Sequence, residues 1–457
     1  MDAEELNRWL DERDIRWIKT EGVSHDGLVV GKHLSRAKFE KGLPSGNAIT
    51  DLVLGYDIAG GPFLAWWDTW REDALGDIFQ RPDLDTLVAA PDRPHTANVI
   101  CDFIDAAGVS IPSCPRGVLA RVVDRLAGHG YRAKAAFEVE AMLFTDSYST
   151  ARQRHYSGLN PMSFPAAIGY LHHSSREQLA YLDVVLHRLA GLGIAVEGWH
   201  DEAAPAQFEI NLEPADPLAA CDQVVRVKQV LREVAMEQGH IVTFMAKPSA
   251  EYGNGLHVHH SLTRDDEPVF YAPEGAMSNA TKHWIGGLMA TMPAATSLLC
   301  PTINSYRRMV GFAAAPTVAS WGEDNKSAAL RVLSSSPAGA RIEHRVAGGD
   351  ANPYLVLAAA LAGGIAGLEH AIDPPDALAV TGWGLPHDGW PHLPTSITKS
   401  VAALEADDRL RSVLGDDFSQ FWINTRRWEW LMFHTTGGDP GAETVTPWEL
   451  DRYFELV

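Results

Sequence analysis

The segment Phe137-Glu138-Val139-Glu140 constrains this chain more than any other. Its alternation predicts a β-strand on which Glu138 and Glu140 project from the same face. On most strands such a pair is a solvated face. Here Ala135 and Ala136 lead into the segment and Ala141-Met142-Leu143-Phe144 follow it, so the carboxylates sit inside an apolar run. Burying two carboxylates is costly unless cations accompany them. The fold must therefore bring positive charge, from metals or from side chains, to this strand.

Later segments carry matching chemistry. Trp199-His200-Asp201-Glu202, with Glu209 beyond it, puts two carboxylates at the ends of neighbouring elements. Gly255-Leu256-His257-Val258-His259 sets two imidazoles on one strand face. Arg341-Ile342-Glu343-His344-Arg345 alternates a carboxylate between two guanidinium groups. Each of these alone reads as a hydrogen-bonded structural residue. Five glutamates and one histidine, each on an apolar, strand-like run, read as ligands, and hard oxygen donors with one imidazole suit Mg²⁺ or Mn²⁺ better than zinc.

Composition limits the partners. A formal net charge of −21 argues against a nucleic acid or an anionic membrane, which call for a basic footprint. Cys101, Cys114, Cys221 and Cys300 are far apart, without a C-x-x-C, and read as buried thiols of a reducing compartment. The N-terminus has neither the basic nor the apolar part of a signal peptide, and no run of about eighteen apolar residues is present, so a cytoplasmic protein is expected.

Along the chain, residues 1–100 read as a small strand-rich domain, with a strand at 15–20 and a hairpin partner at 27–31. A helix at about 115–129 leads into the Glu-x-Glu strand, and residues 146–165 read as a polar loop. Helices are expected at 174–191, at 216–237 after an Asp216-Pro217 cap, near 279–299 and 351–370, and in a tail after Pro394. Strands are expected at 194–199, 207–212, 241–245 and 256–262.

With these residues in hand, the chain resembles the glutamine synthetase family over nearly its whole length. The matching blocks are Phe137–Glu140, His200–Leu212, Phe244–Pro248, Gly253–Leu262, Asn304–Val310, Asn325–Arg331 and Arg341–Leu355, in that order. The resemblance implies an α+β fold: an N-terminal β-grasp domain over 1–100 and a catalytic domain over 101–457, whose antiparallel strands form a funnel-shaped site. It implies ATP-dependent ligation of the glutamate γ-carboxylate to an amine through a γ-glutamyl phosphate, with two or three Mg²⁺ or Mn²⁺ ions per site. Glu140, Glu202 and Glu209 then correspond to ligands of a first cation, and Glu138, His257 and Glu343 to those of a second. Arg308 corresponds to the residue holding the glutamate α-carboxylate, and Arg345 to the one near the γ-carboxylate. Lys326, Arg331 and Arg341 correspond to phosphate binders, Glu197, His259 and Ser261 to positions around the nucleotide, and Gly253 to the loop over the amino acid. Asp57 matches a loop residue that reaches a neighbouring subunit's amine. The family's stacked rings imply a homo-oligomer, a dodecamer of two hexameric rings.

The main departure lies in Gly311-Phe312-Ala313-Ala314-Ala315-Pro316. Ammonia-using members carry a glutamate in this flap, typically within P-G-Y-E-A-P, where it removes a proton from the incoming ammonium. Here the position is Ala314, so that base is absent and the site gains room. The expectation is a glutamate–amine ligase making a γ-glutamylamide from a small alkyl- or hydroxyalkyl-amine such as ethanolamine or isopropylamine. An ammonia-using glutamine synthetase, a γ-glutamylpolyamine or γ-glutamylanilide synthetase, and a catalytically silent family member stand beside it as alternatives. Smaller departures are Lys326 in place of arginine and Glu323-Asp324 where basic residues are common. Trp66, Trp67 and Trp70 are candidates for an amine pocket, or for core.

Overall fold

The computed structural model describes residues 1–63, 76–163, 168–172, 175–250, 252–310, 315–382 and 390–457. Ala314 and the tryptophans 66, 67 and 70 lie outside the described residues. Within them the chain forms two sheets and an α+β architecture. The first sheet has seven strands: β1 (Trp17–Val23), β2 (Val29–Val30), β3 (His33–Ser35), β4 (Asn47–Thr50), β5 (Asp77–Pro82), β6 (Val88–Ala89) and β7 (Thr96–Ile104). Its spine runs β2-β1-β7-β5-β4, with β1 and β7 parallel. Residue 100 falls inside β7, the central strand of this spine, which runs past the expected boundary at 100.

The second sheet carries the chemistry. Its strands are β8 (Arg132–Phe144), β9 (Val196–Asp201), β10 (Gln207–Leu212), β11 (Ile241–Thr243), β12 (Leu256–Arg264), β13 (Glu267–Pro268), β14 (Trp321–Glu323), β15 (Leu330–Leu333) and β16 (Arg341–His344). The order is β14-β15-β16-β12-β8-β10-β9, antiparallel throughout except for the parallel β14–β15 pair. The long β8 is the axis. Ala135, Phe137, Val139, Ala141 and Leu143 are buried on one of its faces, and Glu138 and Glu140 occupy the other. The apolar face joins a core completed by the helices Pro115–Gly128, Arg176–Gly191, Pro217–Gln238 and Pro353–His370.

Local chemistry sets the helix ends. Pro217 opens its helix at the first position, but Asp216 makes no side-chain cap, and Gly239 closes the helix at φ +76. The expected 146–165 loop contains a short helix, Tyr148–Gln153, because Ser147 accepts a hydrogen bond from the Thr150 N–H and caps it. The Pro353–His370 helix is long and apolar enough to cross a membrane, yet it is mostly buried in the core, packed on the Asn279–Leu299 helix. All four cysteines are free and buried.

Candidate active site

The polar face of β8 reads as three rungs across the sheet. In the first, Glu140 pairs with Glu209 on β10, which pairs in turn with His200 on β9. In the second, Glu138 lies between Asn211 on β10 and His257 on β12. In the third, His259 pairs with Glu343 on β16, and Glu343 with Arg331 on β15. Paired residues put their Cβ atoms about 5 Å apart on the same face. Strand alternation and register thus gather residues that are distant in sequence.

Hydrogen bonds tie the rungs together. Glu138 faces both imidazoles, with His257 Nδ1 2.9 Å from Oε2 and His259 Nε2 3.0 Å from Oε1. Burial opposes its ionisation, but these two partners hold its carboxyl well below the usual range. Glu343, almost fully buried, accepts from Arg331 Nη1 at 3.1 Å and from Arg345. Glu140 accepts from the Gly255 N–H at 2.7 Å and from Gln207 Nε2 at 2.9 Å. A Cβ at Gly255 would press on the site's side chains, lying 2.9 Å from Arg308 Nη2, 3.0 Å from His257 Nε2 and 3.1 Å from Glu140 Oε1. At Gly253 a Cβ would lie 2.2 Å from the Ala246 carbonyl and against the Arg308 stem.

Negative charge exceeds its compensation at the Glu140 end. Burial, and then the Glu209 carboxylate, push the Glu140 carboxyl up. Glu202 is pushed up to about 7 by burial and by Glu140 and Glu209. His200 lies 3.1 Å from Glu209 and 3.5 Å from Glu202 and is raised to about 9 by the hydrogen bond and charge of Glu209, against its burial. Crowded carboxylates with imidazoles beside them are the donor set of a hard divalent cation. Among the described residues three such clusters form on this face: Glu138-His259-Glu343, Glu138-Glu209-His257 and His200-Glu202-Glu209. The residues fit the implied cations, although His200 and His259 join the carboxylates more closely than the resemblance implied.

Beside this face lies a cavity of about 270 Å³. Glu197, His259, Ser261 and Arg341 line it together with Glu138 and Asn211, so three residues expected around the nucleotide and one expected phosphate binder converge on one space next to the carboxylates. Arg341 Nε donates to His259 Nδ1 at 3.2 Å. Lys326 stands apart, exposed on the turn between β14 and β15. Asp57 is also apart: its Oδ2 accepts from Trp428 Nε1 and Arg452 Nη2, and its Oδ1 from the N–H groups of Ala59 and Gly61.

Gln207 and Tyr170 were not singled out from sequence, and His200 and Asp324 were named there without a role in the site. Gln207 ties Glu140 to the Gly253 carbonyl and to Asn254, and Tyr170 packs against His200 with ring centroids 4.3 Å apart and the planes tilted by 35°. Asp324 accepts from Arg331 Nε at 2.9 Å and Nη2 at 2.6 Å. His200 and Gln207 did carry a signal, since each lies two residues from a candidate glutamate, on or beside a predicted strand.

This carboxylate and imidazole face, with a cavity at its edge, lies within a segment that matches the catalytic domain of ATP-dependent carbon–nitrogen ligases. The chain belongs to the glutamine synthetase family, whose catalytic domain matches residues 112–453. It is similar to a glutamate–isopropylamine ligase of Pseudomonas sp, 30% identical over 98% of this chain and 97% of that protein. It is similar also to the glutamine synthetase of Pyrococcus furiosus, 31% identical over 97% of each. Among solved structures, a GmaS/ADP complex superposes with a TM-score of 0.82 at 27% identity, covering 98% of both chains.

Proposed function

We propose that this protein joins the γ-carboxylate of glutamate to a small primary amine, through a γ-glutamyl phosphate, to give a γ-glutamylamide. The observation that carries this reading is Ala314, which stands where ammonia-using members of the family carry the flap glutamate. Losing that carboxylate removes the base for ammonium and opens space for a substituent on nitrogen. Similarity to a glutamate–isopropylamine ligase supports the same direction, and alkyl- or hydroxyalkyl-amines such as isopropylamine and ethanolamine are the favoured acceptors. The similar identity to a relative named glutamine synthetase favours glutamine synthesis as the second reading.

In this reading each group has a task. Glu140, Glu202 and Glu209 would hold one Mg²⁺ or Mn²⁺, and Glu138, His257 and Glu343 another. Bound there, the cations would neutralise phosphate charge during transfer. Glu197, His259, Ser261 and Arg341 line the space for ATP. Arg331 lies on the Glu343 rung and offers a fork for phosphate, with Lys326 at the rim. Arg308, packed against Gly253 and Gly255, binds the glutamate α-carboxylate, and Arg345 the γ-carboxylate. We infer a dodecamer of two hexameric rings, in which the Asp57 loop faces a neighbouring subunit's site.

The test is phosphate release from ATP with Mg²⁺ and glutamate across a panel from ammonium through methylamine, isopropylamine, ethanolamine, putrescine and spermine to aniline, with mass spectrometry of products. A γ-glutamylamide from a small amine, with ammonium poor, is the expected result. Efficient glutamine formation from ammonium would establish the second reading instead.

A further inference from the structure

His200 sits between two carboxylates with its ring held in place. Its Nδ1 is 3.2 Å from the Asp201 carbonyl, and the Tyr170 ring packs across its face at 4.3 Å. The Asp201 carbonyl is itself fixed, accepting from the Tyr170 N–H at 2.8 Å. A proton on Nδ1, directed at that carbonyl, leaves Nε2 with a lone pair. Nε2 faces Glu209 Oε1 at 3.1 Å, whereas Glu202 Oε1 lies 3.5 Å from Nδ1, and the three side chains still form one cluster of possible metal ligands. At the Nε2–Oε1 separation a proton or a metal ion must lie between the two atoms; without metal the proton is the imidazole's own, and a bound cation would replace it. Metal-bound histidines commonly direct their second nitrogen at a backbone carbonyl in this way.

We propose that His200 is itself a ligand of the cation held by Glu202 and Glu209, and that this imidazole biases the site towards Mn²⁺ over Mg²⁺. The proposal rests on reading the carboxylate face as a metal centre, and it goes beyond that reading by adding a nitrogen donor to an all-carboxylate set. Imidazole is a good ligand for the softer divalent ions, whereas Mg²⁺ prefers oxygen and keeps its waters. The other cluster already has His257 and His259 beside Glu138, so both ends of the face would then hold mixed nitrogen and oxygen sites.

The experiment uses the full chain and Mn²⁺ as the probe, read by electron paramagnetic resonance with Mg²⁺ in competition. A Glu343→Gln background weakens the other site, so that the spectrum reports on Glu202 and Glu209. The expected result is a nitrogen hyperfine coupling that His200→Gln removes. The Mn²⁺ dissociation constant rises at least about tenfold, against less than about threefold for Mg²⁺. Size-exclusion elution and circular dichroism confirm that His200→Gln keeps its fold, and Glu209→Gln should abolish the same bound Mn²⁺ signal. An unchanged coupling in His200→Gln, or equal losses for both metals, would overturn the ligand assignment. Tighter metal binding in His200→Gln would overturn it too, by showing a protonated imidazole that competes with the cation. A parent protein that binds no Mn²⁺ at Glu202 and Glu209 would instead sink the metal-centre reading on which the proposal rests.

Discussion

At the scale of residues, the site is a lattice of charges whose members were visible in sequence and whose pairings were not. Period-two alternation is enough to put Glu138 with Glu140, and His257 with His259, on common faces. Register is set by long-range pairing, so the sequence gives no sign that Glu209 stands opposite Glu140, or Arg331 opposite Glu343. Asp324 was legible only as a departure from a basic position, and its geometry shows the consequence. It sits at φ +43, turned so that one carboxylate oxygen takes both Nε and Nη2 of Arg331. Because Asp324 is 69% exposed, the pair is worth at most about 1 kcal/mol. Asp324→Asn is therefore expected to free Arg331 for phosphate and lower the KM for ATP by about two- to fivefold. A steady-state ATP titration decides it, because a raised KM would show that Asp324 orients the arginine instead. The ligand assignments have a coarser test. Glu138→Ala and Glu343→Gln should each cut phosphate release by at least about a hundredfold with the oligomer intact by light scattering; full activity in either would refute that ligand.

At the scale of elements, the helices and long strands were legible because each carries a strong period or a clear stop signal. The Pro217–Gln238 helix, with proline at its start and a left-handed glycine after its end, is such a case. The two-residue strands β2, β6 and β13 are too short for any periodicity, and the parallel β1–β7 pair joins segments that only the folded sheet brings together. The closest packing of elements is equally hidden in sequence. Between the Asn279–Leu299 and Pro353–His370 helices, a Cβ at Gly287 would lie 2.2 Å from the Gly363 carbonyl and 2.4 Å from the Gly367 nitrogen. Backbone rather than side chain occupies that space, so it cannot give way by a rotamer change. Gly287→Ala should force the helices apart and cost roughly 1–3 kcal/mol. A lower denaturation midpoint with unchanged ATP affinity per folded molecule is the expected outcome, since neither helix supplies a proposed ligand. An unchanged midpoint would show that the pair repacks freely.

At the scale of the whole molecule, the small sheet and the catalytic sheet are joined by buried charge. Arg116 bridges Asp83 and Asp102 of the N-terminal part to Asp222, and Arg226 reaches Glu21. At the far end Arg426, on the Asp416–Thr435 helix, donates to Asp26 Oδ1 at 2.6 Å, while His25 lies 3.1 Å from the other oxygen. Both partners of the Asp26–Arg426 pair are nearly inaccessible, so removing one charge strands the other in a poor solvent. Burial opposes ionisation of Asp26, but His25 and Arg426 hold its carboxyl well below the ordinary aspartate range. The unfolded chain therefore takes up the proton first as pH falls. The stabilisation is complete above the unfolded pKa of about 3.9 and is lost as pH drops below it towards the folded value. Asp26→Asn should accordingly destabilise the clamp by roughly 3–5 kcal/mol at neutral pH. That deficit should shrink between about pH 5 and pH 2, as the parent protein loses the same charge in acid. Denaturant titrations of both proteins across that range, followed by tryptophan fluorescence, measure it directly. A deficit that grew on acidification would mean that the carboxylate is not the group holding Arg426, and that the two sheets are joined by packing alone at this corner.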